Sequence, residues 1–412
     1  MVWLKLSQSP TKRNGRQYSR WVYLSMVMLA NLMIGLYQYS WTLFALPIRD
    51  EFGWQMPAIQ LTFTLCVWIM TWSQPISGFF MDRRGPKLLT TVAALLCGFG
   101  WIAASYVDSI WELYVVYGLG SIGVGIFYAA AVGVASKWFP EKRGLAIGLA
   151  IFSYGFGAAI FNPIISFMIH SVGFRWAFLS MGIIMLVILL SSSQIIKYPY
   201  TSQLKQTASL KFTHNEKQFT PREMVMTWQW WLIYLAFIFT ANTGLMVASQ
   251  MTAIGEAFNI PEMYILITAT SYPIMNGLGR IIGGVVSDRI GRERTMSLYC
   301  ATQGLLSLAL LSLGFNPLCF ILLLTLIGTL WGPIFTFVPS IIADYYGREN
   351  STANYGITYT AKAWGGVMGG YVTAWLASYY RGFATPIILS AILALTASIM
   401  VNPYILKRPT KK

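Results

Sequence analysis

The chain has 412 residues, of which 56% are hydrophobic and only 10% charged, and its mean hydropathy is +0.57. A soluble domain carries about 25% charged residues, so the composition excludes one and predicts a polytopic membrane protein. A formal charge of +15 raises nucleic acid as a partner, and two His and four Cys leave little room for metal or thiol chemistry.

Residues 1–20 are polar and basic, without a short apolar core before a small-residue cleavage site. They are expected to be a cytoplasmic tail and not a cleaved signal peptide. A spanning helix needs about 20 mostly apolar residues. Twelve stretches qualify, at roughly 21–47, 56–80, 87–107, 111–136, 144–170, 174–198, 228–256, 262–287, 294–314, 317–343, 351–379 and 383–406. The first contains IGLYQYSWTLFALP (34–47) and is unusually polar, with Gln38, Tyr39, Ser40 and Thr42. The second runs into GFFMDRRGPK (78–87), which holds Asp82, Arg83 and Gly85. Tyr128 and Tyr154 fall on the fourth and fifth. The polar break at 199–227 reads as a cytoplasmic linker between an N-terminal bundle, 21–198, and a C-terminal bundle, 228–406. The eighth stretch contains NGLGRIIGGVVSDR (276–289), with Arg280 inside it and Asp288 and Arg289 at its end, just ahead of Gly291. Trp331 and Phe335 on the tenth are four apart; Tyr359 and Lys362 on the eleventh, in YTAKAWGG (359–366), are three apart. Either spacing places the pair on one helical face. Residues 407–412 are expected to be a cytoplasmic C-terminal tail. Cys66, Cys97, Cys300 and Cys319 lie in apolar segments without metal-type spacing and read as small packing residues.

With the N-terminus inside, 24 of the 29 Lys and Arg residues fall in inner segments, and only Arg49, Arg175 and Arg381 in outer loops. That is the positive-inside signal, and it accounts for the basic excess without nucleic acid. Arg280 and Lys362 are the two left inside membrane helices, while all 14 acidic residues fall in loops or at helix ends. A cation at the bilayer centre costs about 3 kcal/mol. Two without an internal anion also repel each other. A bound anion relieves both problems, the Arg fork taking a carboxylate with two parallel hydrogen bonds and Lys supplying a point charge. A dianion with two carboxylates matches the site charge for charge. The bland reading of Arg280 is snorkelling, since it lies eight residues from Asp288; Lys362 has further to reach. Each aromatic taken singly is more often packing, so the case for a cage rests on the cations.

GFFMDRRGPK and GVVSDRIGRE (284–293) both read G-x-x-x-D-R-x-G, at an offset of 206 residues, half the chain. WFPEKRG (138–144) lands on DYYGREN (344–350) at the same offset. An internal repeat of six helices is a common transporter design. The same offset maps Arg280 to Gln74 and Lys362 to Phe156, so the cations belong to one half only. The whole chain resembles the major facilitator superfamily. That resemblance implies an all-α polytopic fold with twelve transmembrane helices in two pseudo-symmetric six-helix bundles. It also implies that Asp82, Arg83, Gly85, Asp288, Arg289 and Gly291 hold and release the cytoplasmic ends of the halves during alternating access.

QYSWTLFA, NGLGR ahead of VSDRIGR, the Tyr128 and Tyr154 segments, WFPEKRGLA, the Trp331 segment and the AKA around Lys362 resemble the oxalate:formate antiporters. The resemblance implies that Arg280 and Lys362 are the charge partners of the anion, with Gln38, Tyr39, Tyr128, Tyr154 and Trp331 lining the cavity. Phe335 stands where that family has Tyr, and Tyr359 where it has Trp. Both remain site candidates, but they put strict oxalate specificity in question. The expected protein is a monomeric inner-membrane carrier of small carboxylates (oxalate, formate, with lactate as a further candidate), without cofactor. The nearest rival is a proton-coupled monocarboxylate symporter. It needs a membrane-embedded titratable relay, and no Asp, Glu or His falls mid-helix. A membrane enzyme needs nucleophile, base and ligand clusters that are missing from the expected core. A sensor built on a transporter fold would be told apart by absent counterflow.

Overall fold

The computed structural model describes residues 18–139, 143–199, 218–347 and 350–409. Most of the expected N-terminal tail and linker, the loop residues Pro140, Glu141, Lys142, Arg348 and Glu349, and the last three residues lie outside the described residues.

The described residues form helices whose apolar sequence and end caps set their extent. The first, α1, is Arg20–Ile34 continued by two short pieces, Leu36–Tyr39 and Trp41–Phe52. It is followed by α2 (Met56–Arg84), α3 (Lys87–Ala104), α4 (Ile110–Trp138), α5 (Arg143–Val172) and α6 (Phe174–Ile195). A one-turn helix, Pro221–Val225, precedes α7 (Trp228–Ala257), α8 (Glu262–Ile290) and α9 (Arg292–Leu313). The tenth, α10, joins Pro317–Trp331 to Ile334–Tyr346, and α12 is Ala384–Met400. Between them α11 is assembled from Ser351–Tyr359, Ala361–Val367, a π-helical turn Met368–Val372 and Thr373–Tyr379. Side-chain caps satisfy the free amides at helix starts. Ser109 and Glu112 form a reciprocal capping box on α4, and Asn316 accepts from the amides of Leu318 and Cys319 on α10. Gly85 and Gly291 end α2 and open α9 with φ of 79° and 93°, a backbone that a side chain would strain. This is the physical content of the last glycine in each G-x-x-x-D-R-x-G turn.

Nine helices among the described residues are long and apolar enough to cross a membrane. The other three expected spans correspond to α8, α11 and α12; α8 carries Arg280 and α11 carries Lys362. Large apolar side chains such as Phe99, Phe167, Val187, Leu322 and Ile392 face outward, as a lipid-facing surface requires. Cys66, Cys97 and Cys300 are buried and Cys319 half-buried, and all four are free thiols. This agrees with their packing role.

The helices expected at 21–47, 317–343 and 351–379 are present but locally irregular, the backbone at each break staying in the right-handed helical region. Gly35 and Ser40 bracket the Leu36–Tyr39 piece of α1. Gly332 and Pro333 divide α10; a proline has no N–H to continue the ladder. Thr360 divides α11, one residue before Ala361. Irregular backbone at membrane depth is tolerated where protein buries it, and each break adjoins a candidate site residue: Gln38 and Tyr39, Trp331, Tyr359 and Lys362.

The two halves of the bundle meet mainly at one end. Gln60 Nε2 donates to the Ser249 carbonyl at 2.9 Å, and the Thr252 amide donates to Thr42 Oγ1 at 3.0 Å. The Tyr371 amide donates to Thr64 Oγ1 at 3.0 Å, and Asn162 Nδ2 to the Ala269 carbonyl at 2.9 Å. At the rim Arg49 holds Glu256 with two bonds, of 2.8 and 3.0 Å, and His170 Nε2 lies 2.7 Å from Glu262 Oε1. The Glu256 carboxylate raises the Arg49 pKa above arginine's already high value, so the guanidinium stays charged. At the opposite, basic end the ion pairs between described residues stay within a half: Lys137 with Asp82 at 2.6 Å and Arg292 with Asp344 at 3.1 Å.

Candidate functional site

Arg280 and Lys362 approach a single aromatic floor. The Arg280 guanidinium carbon lies 4.9 Å from the Phe335 ring centre, and Lys362 Nζ lies 5.8 Å from the same centre. Lys362 Nζ is also 6.0 Å from the Tyr359 ring. Cation–π attraction of this kind is worth about 0.5–2 kcal/mol per contact. Lys362 is 4% exposed, so its ammonium is inside the protein and not in lipid. Arg280 does not snorkel to the basic end. Its Nη2 donates to Asn276 Oδ1 at 3.2 Å, one turn further into the bundle.

Among the described residues neither cation meets a carboxylate. Lys362 Nζ donates to Gln38 Oε1 at 3.1 Å, across the two halves. Asn276 Oδ1 also accepts from the Tyr39 hydroxyl at 3.3 Å, again across the halves. Arg280 Nε and Nη1 and Trp331 Nε1 are buried donors without a hydrogen-bond partner among the described residues. Buried donors normally have partners, so this group is suited to an acceptor-rich guest.

Aromatic rings enclose the cations. Tyr154 stands edge-on to Tyr128 at 5.5 Å and to Tyr39 at 5.7 Å, and its hydroxyl points at Gln38 Oε1, 3.4 Å away. From Tyr39 the series continues to Tyr272, Trp331, Phe335 and Tyr359, each ring centre 5.5 to 6.4 Å from the next. Every expected substrate-site residue is therefore in one cluster: Gln38, Tyr39, Tyr128, Tyr154, Arg280, Trp331, Phe335, Tyr359 and Lys362. The one-face spacings survive the helix breaks, with Trp331 and Phe335 rings 5.5 Å apart.

Asn276 and Tyr272 were missed in the sequence reading. They stand four and eight residues before Arg280 on α8, a single stripe on one helical face. That polar and aromatic stripe ending in Arg280 was the available signal. Phe237, 5.6 Å from Phe335 and 6.3 Å from Tyr359, was also missed and had no such signal.

The motif residues expected to join the halves do not do so in this state. Asp82 is taken by Lys137 of its own half, and Arg83 lies over the Phe79 ring at 3.9 Å. Asp288 and Arg289 are exposed, at the end away from the bonds that cross between halves.

A family model for the Major Facilitator Superfamily matches residues 26–370 and 231–412. The chain belongs to the major facilitator superfamily. It is 33% identical over 397 residues to an oxalate:formate antiporter of Oxalobacter formigenes, covering 96% of this chain and 94% of that one. It is 25% identical to the uncharacterized transporter YhjX of Escherichia coli (83% and 85% covered) and 24% identical to the probable sulfoacetate transporter SauU of Cupriavidus necator (87% and 88%). The protein is thus a multi-pass membrane transporter of this superfamily, not an enzyme.

Proposed function

We propose that this carrier exchanges small carboxylate anions by alternating access, with oxalate against formate as the favoured pair. One observation carries the reading: two cations share a buried aromatic floor, and their side-chain acceptors are neutral amides. A dicarboxylate supplies both missing charges and can accept from the free donors of Arg280 and Trp331. The oxalate:formate antiporter relative supports the same substrate class. Phe335 and Tyr359 depart from that family's pattern, so the tolerance for other small carboxylates is expected to differ.

The proposed setting is a bacterial-type inner membrane with both termini cytoplasmic. The basic end is then the cytoplasmic one, and the bonded end, with Arg49–Glu256 and His170–Glu262, is the closed outer side. The bundles 21–198 and 228–406 move as units, joined by the loop 199–227. Asp82, Arg83, Gly85, Asp288, Arg289 and Gly291 act when the cytoplasmic ends close. One chain suffices, since it provides both cations, and a monomer is the proposed unit.

Counterflow tests the assignment. Proteoliposomes loaded with unlabelled oxalate or formate are expected to take up labelled oxalate without a proton gradient. Arg280→Gln and Lys362→Gln are each expected to abolish this uptake. Uptake of formate or lactate only under an imposed pH gradient would replace exchange with proton-coupled symport.

A further inference from the structure

Asn276 is the centre of the site's polar contacts. It is buried at 1% exposure, and each end of its carboxamide is used. Nδ2 donates to the Gly328 carbonyl at 3.2 Å. A carbonyl only accepts, so the nitrogen must point there. The oxygen then faces Arg280 Nη2 at 3.2 Å and the Tyr39 hydroxyl at 3.3 Å, both donors. An aspartate has the same size and could accept the same two bonds. It would also give Arg280 a permanent counter-ion. Lys362 repeats the arrangement, with Gln38 Oε1 at 3.1 Å where a glutamate would fit.

We infer that Asn276 sets the charge of the anion this carrier accepts, with Gln38 in the same role for Lys362. Each amide holds its cation in place by a hydrogen bond without neutralising it. The inference rests on the anion-exchange reading above and deepens it. Neither amide supplies a counter-charge, so the negative charge must come from the guest, and a guest with two negative charges binds best. Asn276 is a positioning residue for Arg280 and a specificity-determining one for the substrate.

The competing account is that an amide is present only for the Gly328 bond, as packing. Asn276→Asp separates the two. The new carboxylate loses that bond whichever anion is bound, but it lowers the site charge by one. Affinities for oxalate and formate would be measured by calorimetry on the purified full-length carrier. The ratio of oxalate to formate affinity is expected to fall at least about tenfold, because one attraction at contact distance is cancelled for the dianion. Asn276→Ala, which frees Arg280 without adding charge, is expected to weaken both anions and leave the ratio near its original value. Gln38→Glu adds the same charge beside Lys362 and leaves the Gly328 bond intact. It is expected to lower the ratio similarly and decides the matter if Asn276→Asp does not fold.

An unchanged ratio in the charge variants, with both anions still bound by the unmodified carrier, overturns the inference alone. Binding of neither oxalate nor formate by the unmodified carrier overturns the exchange reading, and this inference with it.

Discussion

Phe335 is the one ring within cation–π reach of both Arg280 and Lys362 among the described residues, at 4.9 and 5.8 Å. It is proposed to hold both cations in the geometry that receives the anion, so its loss weakens binding. With each contact worth about 1 kcal/mol, Phe335→Ala is expected to raise KM for the transported anion about tenfold. Phe335→Tyr keeps the ring and should stay within about twofold. Initial rates of counterflow against substrate concentration would check both, and equal KM values for the alanine variant and the original would refute the role. The cations themselves were plain in the sequence, as basic residues inside apolar stretches. Their acceptors were not. Gln38 and Lys362 are 324 positions apart, and nothing in either segment names the other as a partner.

At the scale of an element, the site is built from interrupted helices. The Gly332–Pro333 break in α10 follows Trp331 directly, and its indole packs onto α7 where Gly244 leaves room. A Cβ at Gly244 would lie 2.0 Å from Trp331 Cδ2. The indole is rigid and would have to shift, at a cost of about 1–3 kcal/mol for overpacking. Gly244→Ala is therefore expected to lower Tm in detergent and to reduce exchange together. Gly284→Ala on α8 is the control, because its nearest neighbour would be Thr336 Cγ2 at 3.8 Å, an ordinary contact. A Tm for Gly244→Ala as high as that of the control would argue against the packing account. Element positions were readable from apolar runs, yet the breaks at Ser40 and Thr360 were not. Those residues are compatible with a helix interior; in the structure the Ser40 hydroxyl donates to Asn162 Oδ1 at 2.6 Å and the Thr360 hydroxyl to the Ile357 carbonyl at 2.7 Å.

For the whole molecule, the arrangement is a carrier closed at the rim that bears Arg49 and Glu256. These side chains are about one third and one half exposed, so their ion pair is worth at most about 1 kcal/mol. It biases the closed state without locking it. Arg49→Ala is expected to raise the fraction open at this rim by up to about fivefold. Cysteine-reactive labelling of a residue introduced at Thr252 would report it, since Thr252 is sealed against Thr42 in the closed state. Salt should shrink the difference between Arg49→Ala and the original carrier, as screening weakens an exposed pair. A difference that persists in high salt would mean the rim is closed by packing instead.

The membrane class, the approximate spans, the repeat and the two unmatched cations were legible in the amino-acid sequence. Each of these depends on local composition or on charge counted loop by loop, which need no knowledge of packing. Packing revealed that Gln38 and Asn276 are the acceptors, that Tyr272 and Phe237 complete the ring cluster, and that the halves are bonded at one end. It also placed Asp82 with Lys137 of its own half in this state. Those facts follow from which faces of distant helices are pressed together, and hydrophobic patterning leaves that choice open.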